Sequence, residues 1–158
     1  MTIRSGHRVA VLASWLAGML LPMAAWPCSI FCGSDGLNVL AGNNEDYLSG
    51  AYDTALLIVP PEGGSHGYVL VGYSLFNGRS TFSAQGGVND QGLFTDGNAA
   101  PLLEARTNAQ GDRAAAFSAF AGILKGCATV QEALDTLATW DLTGVIERAK
   151  IFLADRSG

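Results

Sequence analysis

From residue 28 to residue 95 the chain is broken into short β-branched or aromatic runs by Gly- and Pro-rich clusters, and this punctuation constrains the fold more than any other feature. Runs at 54–59, 68–73, 81–84 and 93–95 have strand character, and separators such as Pro60-Pro-Glu-Gly-Gly64 turn the chain between them. Ahead of them, Cys28-Ser-Ile-Phe-Cys32, the turn residues Gly33-Ser-Asp-Gly36 and Leu37-Asn-Val-Leu-Ala41 predict a hairpin with Cys28 at the start of its first strand. The pattern then changes. Residues 113–124 place Phe117, Phe120, Ile123 and Leu124 at helical spacing, with Gly126 just past the end. Thr129-Val-Gln-Glu132 has the form of a capping box ahead of an apolar stripe of Val130, Leu134 and Leu137. Residues 149–154 return to strand. Several strands, two helices and a strand predict an α+β fold with helices layered on a sheet.

Residues 1–27 read differently. Arg4, His7 and Arg8 precede an apolar stretch from Val9 to Ala25 that ends in small residues, the layout of a secretory signal peptide. The stretch is shorter than the ~20 residues a spanning helix needs and is interrupted by Pro22, so a cleaved signal is favoured over an anchor. Export to the periplasm or the extracellular space is the expectation, with no membrane span left after cleavage. The segment holds two arginines and no acid, so its removal takes the formal charge from −5 to −7. An acidic remainder without basic clusters is a poor nucleic-acid binder. A 49% hydrophobic content and 20 glycines describe a packed domain with many turns, and 158 residues suit one domain.

Three cysteines follow the leader: Cys28, Cys32 and Cys127. An odd number in an oxidising compartment leaves at least one thiol unpaired. Cys28 and Cys32 on one strand are ~13 Å apart, too far for a disulfide, which leaves a Cys32–Cys127 bridge with Cys28 free as one arrangement. A cysteine nucleophile usually has a histidine base, but His66, in the Gly63-Gly-Ser-His-Gly67 loop, is the only histidine after the leader. No Cys/His cluster has zinc-ligand spacing, and no cofactor is expected. A second scheme needs no histidine: the α-amino group of an N-terminal Cys28 serves as base for its own thiol, since such an amine titrates near ~7.7 to 8. The competing reading makes Cys28 a small buried residue at a strand start.

Two polar clusters bear on that choice. Gly42-Asn-Asn-Glu-Asp46-Tyr47 closes the hairpin and returns toward Cys28, where Asp46 could hold its amine through a charge-assisted hydrogen bond. Gln85-Gly-Gly-Val-Asn-Asp-Gln-Gly-Leu-Phe-Thr-Asp-Gly-Asn98 has turn-like ends around a short strand. In it Asn98 is a candidate oxyanion donor, Asn89 a turn-shaping residue, and Gly86 and Gly87 sites of close backbone packing. Tyr47, Tyr52, Tyr73, Phe76 and Phe94 are candidates for an apolar pocket wall or for ordinary core.

Together these motifs resemble the choloylglycine hydrolase family of N-terminal-nucleophile (Ntn) hydrolases, which includes bile salt hydrolases and penicillin V acylases. The likeness runs from Cys28 to the end of the chain. Gly42-Asn-Asn-Glu-Asp46 is similar to the family's Gly-Arg-Asn-x-Asp, Gly87-Val-Asn-Asp-Gln-Gly-Leu93 to its Gly-Met-Asn-Glu-Lys-Gly-Leu, and Leu153-Ala-Asp-Arg-Ser-Gly158 to its later Asp-x-x-Gly turn. The resemblance implies an αββα sandwich, incomplete in this chain, with residues 28–158 as its N-terminal portion. It also implies Cys28 as nucleophile, Asp46 as partner of its amine and Asn98 as an oxyanion contact. The implied reaction is hydrolysis of linear amide bonds in small-molecule N-acyl substrates through an acyl-thioester, with acyl transfer to another amine using the same residues. Asn43 stands where the family usually carries Arg, which removes a charged contact beside the nucleophile. Signal cleavage after Ala25 would leave Trp26-Pro27 attached, so a further trimming step is expected to free Cys28. The alternative is a catalytically silent exported domain. Uncovered sheet edges favour association into a homo-oligomer.

Overall fold

A computed structural model of the chain describes residues 28–45, 52–75, 82–99, 110–112, 118–143 and 149–158. The leader, Asp46, Tyr47 and Phe76 lie outside the described residues. Strands β1 (Ser29–Ser34) and β2 (Val39–Asn44) form the predicted antiparallel hairpin, in which Ser29 pairs with Asn44 and Ser34 with Val39. The turn falls at residues 35–38, slightly later than the Gly33–Gly36 expectation. Asp35 sets it there: its Oδ1 accepts from the backbone N–H groups of Leu37 (2.9 Å) and Asn38 (2.7 Å). Those bonds hold the Asp35 carboxyl below the usual carboxylate range.

A second, five-stranded antiparallel sheet has the order β3 (Tyr52–Val59), β4 (Tyr68–Leu75), β5 (Phe82–Asn89), β6 (Phe94–Ala99), β7 (Ala149–Ala154). Among the described residues two sheets and two helices make the fold α+β, as the sequence pattern predicts. The cluster 85–98 departs from its expected form of turns around one short strand, because β5 runs on through Gly86 and Gly87 and β6 continues to Ala99. Pairing overrides the weak strand propensity of glycine here, and close packing explains the residues. A Cβ at Gly87 would strike the Val69 carbonyl, and one at Gly86 would lie 2.6 Å from Asp96 Oδ2. The β4–β5 register slips between Val71 and Gly72, where Gln85 is the extra residue of a bulge.

Two helices, α1 (Ala119–Gly126) and α2 (Val130–Leu137), follow. In α1, Ile123 and Leu124 are fully buried beside Leu70 and Leu93, each burial stabilising by about 1.5–3 kcal/mol. Of the expected helix over 113–124, residues 113–117 lie outside the described set, and the helix runs on through Gly126, which was expected just past its end. The chain leaves the helix at Cys127 (φ −119°, ψ 143°), whose carbonyl is tied to the sheet by Asn89. The capping box forms with one change. Thr129 Oγ1 accepts from Glu132 N (3.2 Å), while the Glu132 carboxylate reaches back to Ala128 N (2.6 Å), one residue earlier than the usual box.

Helix α1 covers one face of the sheet and the β1–β2 hairpin meets β6. Alternation along β6 separates the two sides. The Cα of Gly97 faces Phe120 of α1, whereas Asp96 and Asn98 point to the hairpin, where they bond Asn43 and Cys28. Among the described residues, no helix is long and apolar enough to cross a membrane.

Candidate active site

Hairpin register brings the first and last residues of the β1–β2 unit together. With Ser29 opposite Asn44, Cys28 is carried alongside Glu45, and its thiol donates to Glu45 Oε2 at 3.6 Å. Asn43 and Glu45 are two apart and share a face. The Asn43 amide Nδ2 donates to Glu45 Oε1 (2.7 Å) and across to Asp96 Oδ1 of β6 (2.7 Å). Two residues along β6, Asn98 Nδ2 donates to the Cys28 carbonyl at 3.2 Å. Cys28, Asn43, Glu45, Asp96 and Asn98 therefore form one polar cluster where the end of the hairpin docks on the sheet.

Of the three residues singled out in the sequence, Cys28 and Asn98 are brought into contact, and Asp46 lies outside the described residues. Its neighbour Glu45 is the carboxylate that meets the thiol. Sequence reasoning assigned Glu45 and Asp96 no role. The signal for Asp96 was present: once residue 98 is read as part of a strand, residue 96 must share its face.

Asp96 is buried, with 8% of its surface exposed, and its carboxyl is pushed up to about 6. Loss of water is the main cause, opposed by the hydrogen bonds from Asn43 and Gly97 N and reinforced by the charge of Glu45. A carboxyl that binds its proton more readily folded than unfolded makes the folded state gain stability as pH falls. That gain spans the window from about 6 down to the ordinary value of 3.8 and is at most about 3 kcal/mol. Asp35, Asp90 and Asp155 are held below the usual range and act in the opposite sense below it. The unfolding midpoint is thus expected to rise from pH 7.5 to about 5 and to fall again below about 4. Asp96→Asn should flatten the upper limb, as thermal melts across that range would show; an unchanged upper limb would mean that another group carries it.

Asn43 Oδ1 is buried and has no hydrogen-bond partner among the described residues, so the cluster retains one unused acceptor. His66 is placed elsewhere. Its Nδ1 lies 3.7 Å from Asp90 Oδ1 at the β5–β6 turn, the end of that hairpin away from Asn98, so a Cys28–His66 pair does not form. All three cysteines are free, which corrects the Cys32–Cys127 bridge: Cys32 is exposed on β1, while Cys127 is buried with its Sγ 3.4 Å from Thr136 Oγ1. Among the described residues, no group of three or more His, Cys, Asp or Glu side chains could hold a metal ion.

An open cleft of about 580 Å³ separates the hairpin from the sheet, lined by Leu37, Leu40, Val88, Phe94, Ala154 and Arg156 among others. It lies at the turn end of the hairpin, whereas Cys28 lies at the other. Of the aromatic candidates, Phe94 lines this cleft and packs edge-to-face on Phe152, with centroids 6.2 Å apart. No protein-family model matches the sequence, and no curated protein matches it either.

Proposed function

We propose that this chain belongs to an exported cysteine hydrolase of the Ntn type, which cleaves linear amide bonds of N-acylated small molecules through an acyl-thioester on Cys28. The observation that carries the reading is the convergence on Cys28 of groups from separate polar motifs: Glu45 at its thiol, Asn98 at its carbonyl, and Asn43 and Asp96 behind them. A buried structural cysteine needs no such surroundings. Cys127, packed against Thr136 in the apolar core, illustrates the difference.

In this mechanism the freed α-amine of Cys28 takes the thiol proton as sulfur attacks the substrate carbonyl carbon. The carbonyl oxygen gains negative charge in the tetrahedral intermediate. Asn98 uses one N–H on the Cys28 carbonyl, and its second N–H is the donor available to that oxygen. The α-amine returns its proton to the leaving nitrogen, and water then hydrolyses the thioester. Asp46, beside Glu45 in sequence, is the proposed partner of the amine. Asn43 Oδ1 is an unused acceptor for an N–H of the substrate or of the freed ammonium. The hairpin, sheet and helices are compatible with part of an αββα sandwich, in which strands of a second sheet would flank the hairpin beneath an outer helical layer.

Turnover of N-acyl amides by the exported protein tests the proposal. Release of free amine together with a transient acyl mass on the peptide containing Cys28 is the expected result. Neither amine nor adduct across a panel of acyl lengths would leave the silent-domain reading.

A further inference from the structure

The α-amine of Cys28 exists as a base only after the bond between residues 27 and 28 is cut. In the uncut chain the thiol already has an acceptor, and that acceptor is held from behind. We propose that Glu45 takes the Cys28 thiol proton in the uncut chain, and that Asp96 is a positioning residue that fixes the Glu45 carboxylate through Asn43. This deepens the nucleophile reading of Cys28 and rests on it.

The geometry is a chain of contacts in one direction. Asp96 Oδ1 is anchored on β6 by its own neighbour, Gly97 N, at 2.7 Å, and it accepts from Asn43 at 2.7 Å. The same Asn43 nitrogen donates to Glu45 Oε1 at 2.7 Å, which leaves Oε2 to face the thiol at 3.6 Å. Glu45 is solvent-exposed and follows the last residue of β2, so without Asn43 nothing among these contacts would restrict its rotamers. Asp96 is the rigid member, in mid-strand and buried, with Gly86 opposite it on β5. Glycine there is part of the design, because a side chain at 86 would occupy the space of the Asp96 carboxylate. Among the described residues, the charged and titratable groups on the face of Asp96 are Glu45 and Cys28 from the hairpin and Lys150 on β7, which pairs with Asn98. When sulfur attacks an activated acyl carbon, the S–C bond forms, the leaving group departs with its electron pair, and the thiol proton passes to Glu45 and then to water.

The test uses the full 158-residue chain, in which the amine is blocked, and p-nitrophenyl acetate as acyl donor. Mass spectrometry of the peptides resolves acetylation at Cys28 from that at Cys32, an exposed thiol in the same molecule that serves as the internal reference. We expect the Cys28-to-Cys32 labelling ratio to fall about tenfold in Glu45→Gln and in Asp96→Ala, general-base assistance being worth about 10² or more when well placed. The double variant should be no slower than Glu45→Gln alone, because Asp96 acts through Glu45. Asp96→Asn, which keeps an oxygen for Asn43, should restore most of the ratio at pH 7. We expect the ratio in the unmodified chain to step near pH 6, where Asp96 titrates, and Asp96→Asn to abolish that step; the same variant serves where Asp96→Ala fails to fold. A ratio unchanged in Glu45→Gln, or single losses that multiply in the double variant, would overturn the proposal. Because no amide substrate is involved, the relay and the amidase reading fail separately: intact coupling without amide turnover rejects only the latter.

Discussion

Cys28→Ala is expected to abolish amide turnover, by at least about 10³-fold, while leaving thermal unfolding within about 0.5 kcal/mol of the parent. The two halves of this expectation come from different facts. Chemically, alanine offers no nucleophile, and neither Glu45 nor Asn98 can form an acyl intermediate in its place. Structurally, the Cys28 side chain is half-buried, and its one hydrogen bond among the described residues is the 3.6 Å contact to an exposed carboxylate. The stronger tie at this residue, from Asn98, ends on the backbone carbonyl and survives any side-chain change. Cys28→Ser keeps the shape but replaces the thiol with a far weaker acid, so it too should be nearly inactive. Parallel assays of amine release and thermal melting check both halves. Full activity in Cys28→Ala would remove the residue from the chemistry, and an unfolded Cys28→Ala would make it structural.

The largest stability effect is expected at Asn89, where alanine should cost about 3–5 kcal/mol and lower Tm by roughly 10 °C or more. Asn89 is 6% exposed and uses both ends of its amide. Its Oδ1 accepts from Gln91 N (3.1 Å) and Leu93 N (2.9 Å), which shapes the turn between β5 and β6. Its Nδ2 donates to the carbonyls of Leu124 (2.9 Å) and Cys127 (2.7 Å), which binds the end of α1 to that turn. Truncation leaves backbone groups of fully buried Leu93 and Leu124 without these partners, each at about 1–3 kcal/mol, though such costs do not add fully. Asn89→Asp should also destabilise, since it turns the donor toward two carbonyls into a third acceptor. Gln91→Ala, at an exposed neighbour, should stay within about 0.5 kcal/mol. Denaturant unfolding of the three variants would show this order; equal midpoints for Asn89→Ala and Gln91→Ala would contradict it. The effect has a functional side, because the same β-hairpin presents Asp96 and Asn98 to Cys28.

Local chemistry made much of this legible in the sequence. The β1–β2 hairpin, the strand segments, the capping box of α2 and the turn role of Asn89 each depend on residues within a few positions of one another. What escaped depends on pairing across distance. Gly86 and Gly87 read as sites of close packing, but their neighbours are not legible: Thr95 and Asp96 crowd Gly86, and Val69 and Leu124, far away in sequence, crowd Gly87. Gly126 has the look of a residue beyond a helix, but the helix runs through it to Cys127, whose carbonyl is tied to Asn89. In the candidate site, Cys28 stands out in the sequence at the start of the first strand and Asn98 at the end of the polar run 85–98. Nothing local separates Glu45 from its neighbour Asp46, and the place of Asp96 follows only from sharing a strand face with Asn98 and from burial.

Whether Cys28 is a nucleophile exposed by processing is decided by the N-terminal sequence and intact mass of the exported protein. These are measured with and without a thiol-directed acylating probe. A mature chain that begins at Cys28 and gains one acyl group on that residue is the expected result. A mature chain that begins upstream and remains unlabelled at Cys28 would contradict it.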